Sequence, residues 1–147
     1  MFLNEVLYKA VKQQAADENL FGFIFSAVEC LDLETTGLAN FHLLFLVKLT
    51  RYLGFYPDRY LAGEADYFDL KNGVFSKNKP GSILYLSPPH TQNLLALLQS
   101  NFENISQLKM GNDERRHLIQ KLLDYYTLHI EGFGNIRSHE VLEEVLG

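Results

Sequence analysis

Apolar residues recur along most of this chain at the spacing of helices buried on one face. Leu3, Val6, Leu7, Ala10 and Val11 repeat at helical intervals, with Lys9, Lys12 and Gln13 on the opposite side, which predicts a first helix. Asp17 suits the cap of a second, carrying Leu20, Phe21, Ile24, Phe25, Val28 and Leu31 and ending before Thr35-Thr36-Gly37. A third is predicted from about Leu38 to Leu53, stopped by Gly54 with Pro57 just beyond. It is apolar around most of its circumference, as a buried central helix is.

From Asp58 to Ser87 the period changes. Tyr67–Leu70, Asn72-Gly73 and Val74-Phe75 predict a hairpin, because Asn-Gly readily takes the positive φ angles of a tight turn. Ile83–Leu86 is a candidate third strand, and Lys77 to Gly81 is polar enough for an exposed loop. Helix resumes after Ser87-Pro88-Pro89, with serine as cap, proline in the first turn and Leu94, Leu95, Leu97 and Leu98 on the apolar side. A short segment around Ile105 and Leu108 follows. Asn112 then opens the longest late helix, with Asp113 and Glu114 in its first turn and Leu118, Leu122, Tyr125 and His129 on one stripe. Gly132-Phe133-Gly134 punctuates the chain, and Ser138 is placed to cap a last helix burying Val141, Leu142, Val145 and Leu146. The expected fold is mainly α: a single helical-bundle domain over residues 1–147 with a small β-hairpin insertion at about 58–87.

Composition supports one substantial core. Of 147 residues 47% are hydrophobic, and 21% are charged, too few for a disordered chain and too many for a membrane one. His42, Lys48, Thr50 and Arg51 break the densest apolar run, Phe41–Leu53, well short of a spanning helix. The N-terminus, Met1-Phe2-Leu3-Asn4-Glu5, lacks the basic start of a signal peptide, and a single cysteine, Cys30, leaves no internal disulfide. A cytoplasmic protein is expected. The formal charge of −5 argues against a surface-wide field for nucleic acid, so any such contact must be a local patch.

No catalytic set stands out. Cys30 lies among apolar residues with no base near it in sequence and is expected to pack in the core. His42, His90, His117, His129 and His139 lack zinc-ligand spacing, so no metal is expected; His129, on an apolar stripe, suits a hydrogen-bonded core histidine. The glycines form no phosphate-cradling loop, and no cofactor is implied. Cations carry more information. Lys48 and Arg51 share a face of the central helix beside Tyr52, and Arg115 and Arg116 stand near the start of the helix ending in Tyr125-Tyr126. At the rim of an apolar groove they would suit an acidic peptide with a hydrophobic end and a free carboxylate. Ordinary side chains reaching water over apolar surface explain the same residues.

Three stretches together resemble the C-terminal region of RecO, the bacterial recombination mediator family. They are Phe2–Lys9 with Asn19-Leu20-Phe21 and Leu31-Asp32; Asn40–Leu49 leading into Leu53-Gly54-Phe55-Tyr56-Pro57; and Tyr125-Tyr126 through Leu142. The resemblance implies a non-enzymatic role in DNA repair, recombination and the response to DNA damage: helping to load the recombinase on single-stranded DNA and annealing strands. It implies three partners: RecR, single-stranded DNA and the acidic C-terminal tail of single-stranded-DNA-binding protein, the last received by the helical region; the reading of the residues themselves puts Lys48, Arg51, Arg115 and Arg116 forward as the cationic rim that would meet it. The alternative is direct DNA contact by this helical domain, with Lys77 and Lys79 among the contacts. Two departures stand out. Many members carry zinc-binding cysteines after the Leu-Gly-x-x-Pro stop, whereas Asp58–Ser87 has none. The family also begins with an OB-fold domain, which would hold most of the contact with single-stranded DNA; this chain starts where that domain should end, so Met1 is expected to mark an artificial boundary or to stand for an internal residue.

Overall fold

The structure, a computed structural model, describes residues 38–130 and Phe23. The first two helices and the last one expected from the sequence, together with Cys30, Gly132–Gly134 and His139, lie outside the described residues.

The central helix, α1 (Leu38–Leu53), forms as its pattern predicts. From Phe41 to Leu49 every apolar residue is buried, because α1 is packed by other elements on several sides. Gly54 ends it at φ +97°, a left-handed conformation that costs glycine nothing, and the N–H groups of Gly54 and Phe55 both donate to the Thr50 carbonyl at 3.0 Å.

Three short strands follow: β1 (Tyr67–Asp69), β2 (Val74–Ser76) and β3 (Tyr85–Leu86), all antiparallel in the order β2-β1-β3. The hairpin is therefore one part of a three-stranded sheet. Phe68 pairs with Phe75 and with Leu86 across the strands, so alternation turns these three inward to the core. Tyr67, Asp69, Val74, Ser76 and Tyr85 are left on the outer face. The β1–β2 connection is not the two-residue turn that Asn72-Gly73 suggests. It is a four-residue loop, Leu70–Gly73, in which only Gly73 has positive φ, at +67°. The Asp69 carboxylate closes it, accepting from the N–H of Lys71 at 2.9 Å and of Asn72 at 3.3 Å, while Asn72 Nδ2 donates to its other oxygen at 2.8 Å.

Helix α2 (His90–Gln99) buries Thr91, Leu94, Leu97 and Leu98. Ser87 serves it by its backbone, since its carbonyl accepts from the N–H of His90 and Thr91; no side chain caps the helix. A 3₁₀ turn at Ile105–Gln107 precedes α3 (Asn112–His129), which carries Asp113 and Glu114 in its first turn as expected. Helices α2 and α3 and the 3₁₀ turn all pack on α1, giving a mainly α fold with a small sheet.

The end of α3 clamps the insertion to the bundle. Tyr125 Oη donates to the Phe55 carbonyl, and Tyr126 Oη donates to the Leu46 carbonyl of α1 at 2.6 Å. His129 Nε2 lies 2.8 Å from the Leu70 carbonyl, with its ring stacked on Phe55. This is the hydrogen-bonded histidine the apolar stripe predicts. Burial pushes both phenols above their ordinary range, so they remain donors at neutral pH.

Candidate partner-docking site

Lys48 and Arg51 lie three residues apart near the end of α1, where one turn separates them on the helix surface. The Gly54 turn and the loop after Pro57 then bring a third cation, Arg59, close enough to act on Lys48. The Lys48 amine is held below its ordinary value, first by burial and then by the charges of Arg59 and Arg51. Its Nζ donates to the Leu98 carbonyl at 3.3 Å. The Ser100 N–H and Oγ take the Leu97 and Ala96 carbonyls, so Lys48 completes the closure of the α2 C-terminus, where a cation is electrostatically favoured.

Arg51 and Arg59 are exposed, and no described carboxylate forms an ion pair with Lys48, Arg51 or Arg59; the ion pair among the described residues joins Lys77 to Glu64 at 3.4 Å. Apolar surface adjoins the cluster. Tyr60, next to Arg59, is 76% exposed, and Tyr52 stacks on Phe23 at 4.6 Å between ring centres. Among the described residues these like charges have no ion-pair partner, and an incoming carboxylate would relieve their mutual repulsion.

Arg115 has a different setting. Its Nε donates to Asn40 Oδ1 at 2.8 Å and its Nη1 to Asn112 Oδ1 at 3.0 Å. Asn40 in turn donates to the Ile105 and Leu108 carbonyls, so this network fixes the 3₁₀ turn against the first turn of α1. Asn40 precedes Lys48 and Arg51 by eight and eleven residues, about 12 and 16 Å along the helix. Arg116 is exposed beside Arg115. The four cations picked from the sequence thus divide into one pair at each end of α1. Arg59 was missed; its only sequence signal is its position two residues beyond the proline after the helix stop.

Where α2 meets α3, His90 and His117 stack with ring centres 3.8 Å apart, next to an Asn93 Nδ2 to Glu114 hydrogen bond of 2.8 Å. His90 Nδ1 is buried with no hydrogen-bond partner among the described residues. Both imidazoles are held below their ordinary value, mainly by burial; Lys121 lowers both further, His90 lowers His117, and Glu114 pulls His90 upward. The unfolded chain therefore binds more protons, and stability must rise with pH in this window. It is fully present above the ordinary imidazole pKa of about 6.5 and is lost as pH falls through the lower folded values. The melting temperature should drop between about pH 7.5 and 5.5, and His117→Phe, which keeps a stacked ring without the charge, should flatten that drop. An unchanged pH slope in the variant would count against the pair as its source.

Among the described residues no three His, Cys, Asp or Glu side chains gather as metal ligands would, and no helix is long and apolar enough to cross a membrane.

Comparison with known proteins gives this geometry a family. The family described as "Recombination protein O C terminal" matches residues 1–138. Curated relatives named DNA repair protein RecO match the chain almost end to end: 34% identical in Azobacteroides pseudotrichonymphae over 99% of the chain, 36% in Bacteroides fragilis over 99%, and 37% in Flavobacterium johnsoniae over 99%. The chain spans about 60% of the length of each of the first two and 59% of the third. No solved structure matches it significantly. With the family matching over nearly its whole length, the chain belongs to the RecO family of DNA repair proteins and corresponds to their C-terminal region.

Proposed function

We propose that this chain is a docking region of a DNA repair protein and that it works by binding rather than by catalysis. Its occupant at the end of α1 is the acidic, hydrophobic-ended C-terminal tail of single-stranded-DNA-binding protein. The observation that carries this is the cluster Lys48, Arg51 and Arg59, without ion-pair partners among the described residues and beside exposed aromatic surface. A peptide rich in carboxylates with an apolar end meets both features. Holding the tail would bring the repair protein to coated single strands, supporting recombinase loading and strand annealing in the cytoplasm. RecR would be a further partner of the complete protein.

The test is fluorescence anisotropy of a labelled tail peptide against the chain. Saturable, salt-weakened binding is expected. Arg51→Glu and Arg59→Glu, both at exposed positions, should each weaken it at least about tenfold, as reversal of a charge facing a carboxylate would. Arg116→Glu reports whether the peptide also reaches the other end of α1. Undiminished binding by the Arg51 and Arg59 variants would overturn the site.

A further inference from the structure

Asn72 is the only asparagine in the sequence that is followed by glycine. That pairing has a chemistry of its own. With no side chain on the following residue, its backbone nitrogen can reach the carbonyl carbon of the asparagine side chain. Asn72 is exposed in the loop between β1 and β2, where water is at hand.

The folded loop holds both reacting groups away from that course. The Gly73 N–H, the nucleophile of such an attack, donates to the Asp69 carbonyl at 2.8 Å. Asn72 Nδ2, the leaving nitrogen, donates to Asp69 Oδ2 at 2.8 Å, and the Asn72 N–H donates to Oδ1 at 3.3 Å. Asp69 thus engages the attacking nitrogen through its backbone and the amide under attack through its carboxylate. A nitrogen whose N–H is bound in this way gives up its proton reluctantly. The neighbouring negative charge opposes the amide anion further.

We propose that Asn72 is a site of spontaneous deamidation and that Asp69 is its guard, so that the modification proceeds only when the loop opens. In the open loop the Gly73 nitrogen loses its proton and bonds to Asn72 Cγ. The Cγ–Nδ2 bond breaks, and Nδ2 takes a proton and leaves as ammonia. Water then opens the cyclic imide. Breaking the new bond at Cγ gives an aspartate on the ordinary backbone. Breaking the bond at the Asn72 main-chain carbonyl carbon gives isoaspartate, whose backbone runs through Cγ and is longer by a carbon. Either product works against the loop. A carboxylate at position 72 faces the Asp69 carboxylate where Nδ2 had donated, and like charges so close repel. The longer backbone displaces Gly73, whose carbonyl accepts the Asp58 N–H at 2.8 Å. Neither change reverses, so modified chains accumulate with loop opening.

Peptide mapping by mass spectrometry of the whole chain, incubated at mildly alkaline pH, reads the conversion of residue 72 to aspartate or isoaspartate. Conversion in guanidinium chloride, where the loop is open, should outpace that of the folded chain at least about tenfold, the factor one hydrogen bond to a charged group carries. Asp69→Ala should speed the folded chain by about the same factor. Asn78, exposed but followed by lysine, should not change and serves as the internal reference. If Asp69→Ala proves misfolded by near-ultraviolet circular dichroism, Asp69→Asn, which keeps one acceptor oxygen, decides in its place. Asn72→Asp copies one product and should lower the melting temperature. No conversion in guanidinium chloride would overturn the site. Equal rates in denaturant and buffer, or a folded Asp69 variant no faster than wild type, would overturn the guard. A melting temperature unmoved by Asn72→Asp would overturn the cost to the loop.

Discussion

Tyr126→Ala is expected to lower the folding free energy by about 3–5 kcal/mol, the range for removing a fully buried aromatic side chain. Tyr126 is 0% exposed and packs edge to face on Phe55 with ring centres 5.2 Å apart. Its hydroxyl reaches the Leu46 carbonyl in the middle of α1. Tyr126→Phe keeps the ring and removes only that donor, so it should cost nearer 1 kcal/mol, the net worth of one hydrogen bond. Urea unfolding of the two variants separates packing from hydrogen bonding. Equal losses would assign the effect to the hydroxyl. A loss under about 1 kcal/mol for alanine would mean the ring is not core at all. The phenol also predicts an alkaline limit. Its folded pKa is raised, so its contribution is complete below the ordinary tyrosine value of about 10 and is lost as pH rises beyond it.

The two tyrosines also show why parts of this fold could be read from the sequence and others could not. The bounds of α1 were legible because their signals are local: an apolar run, Gly54 immediately after it and Pro57 beyond. His129 was legible for a similar reason, since its place on an apolar stripe implied burial and burial implied a partner. The role of Tyr125-Tyr126 was hidden. Their acceptors, Phe55 and Leu46, lie 70 and 80 residues earlier, and no local pattern encodes such a pairing. The loop at Asn72-Gly73 misled for a different reason: the Asp69 carboxylate accepts the Lys71 and Asn72 backbone N–H groups and so closes a longer loop. In the candidate site, helical spacing put Lys48 beside Arg51, but only the folded path after Gly54 adds Arg59. For Arg115 the sequence shows the charge but not the Asn40 side chain that engages it.

The clamp reaches the docking site through one glycine. Gly73 sits at φ +67°, and a Cβ added there would stand 2.9 Å from Tyr125 Oη. Its carbonyl accepts the Asp58 N–H at 2.8 Å, tethering the start of the segment that carries Arg59. Gly73→Ala is therefore expected to cost roughly 2–4 kcal/mol: about 1–2 for the left-handed backbone, and more for displacing the Tyr125 hydroxyl from the Phe55 carbonyl. Tyr125→Phe alone should cost about 1–2 kcal/mol, because it leaves that carbonyl without its donor. Combined, the two should cost less than their sum by about 1 kcal/mol, since removing the hydroxyl also removes the atom the new methyl strikes. Strict additivity would show that backbone strain alone accounts for the glycine. Tail-peptide affinity separates the same possibilities functionally. If the alanine pushes the Gly73 backbone away from α3, Gly73→Ala should weaken peptide binding by shifting Arg59 relative to Lys48 and Arg51, and Tyr125→Phe should restore part of it.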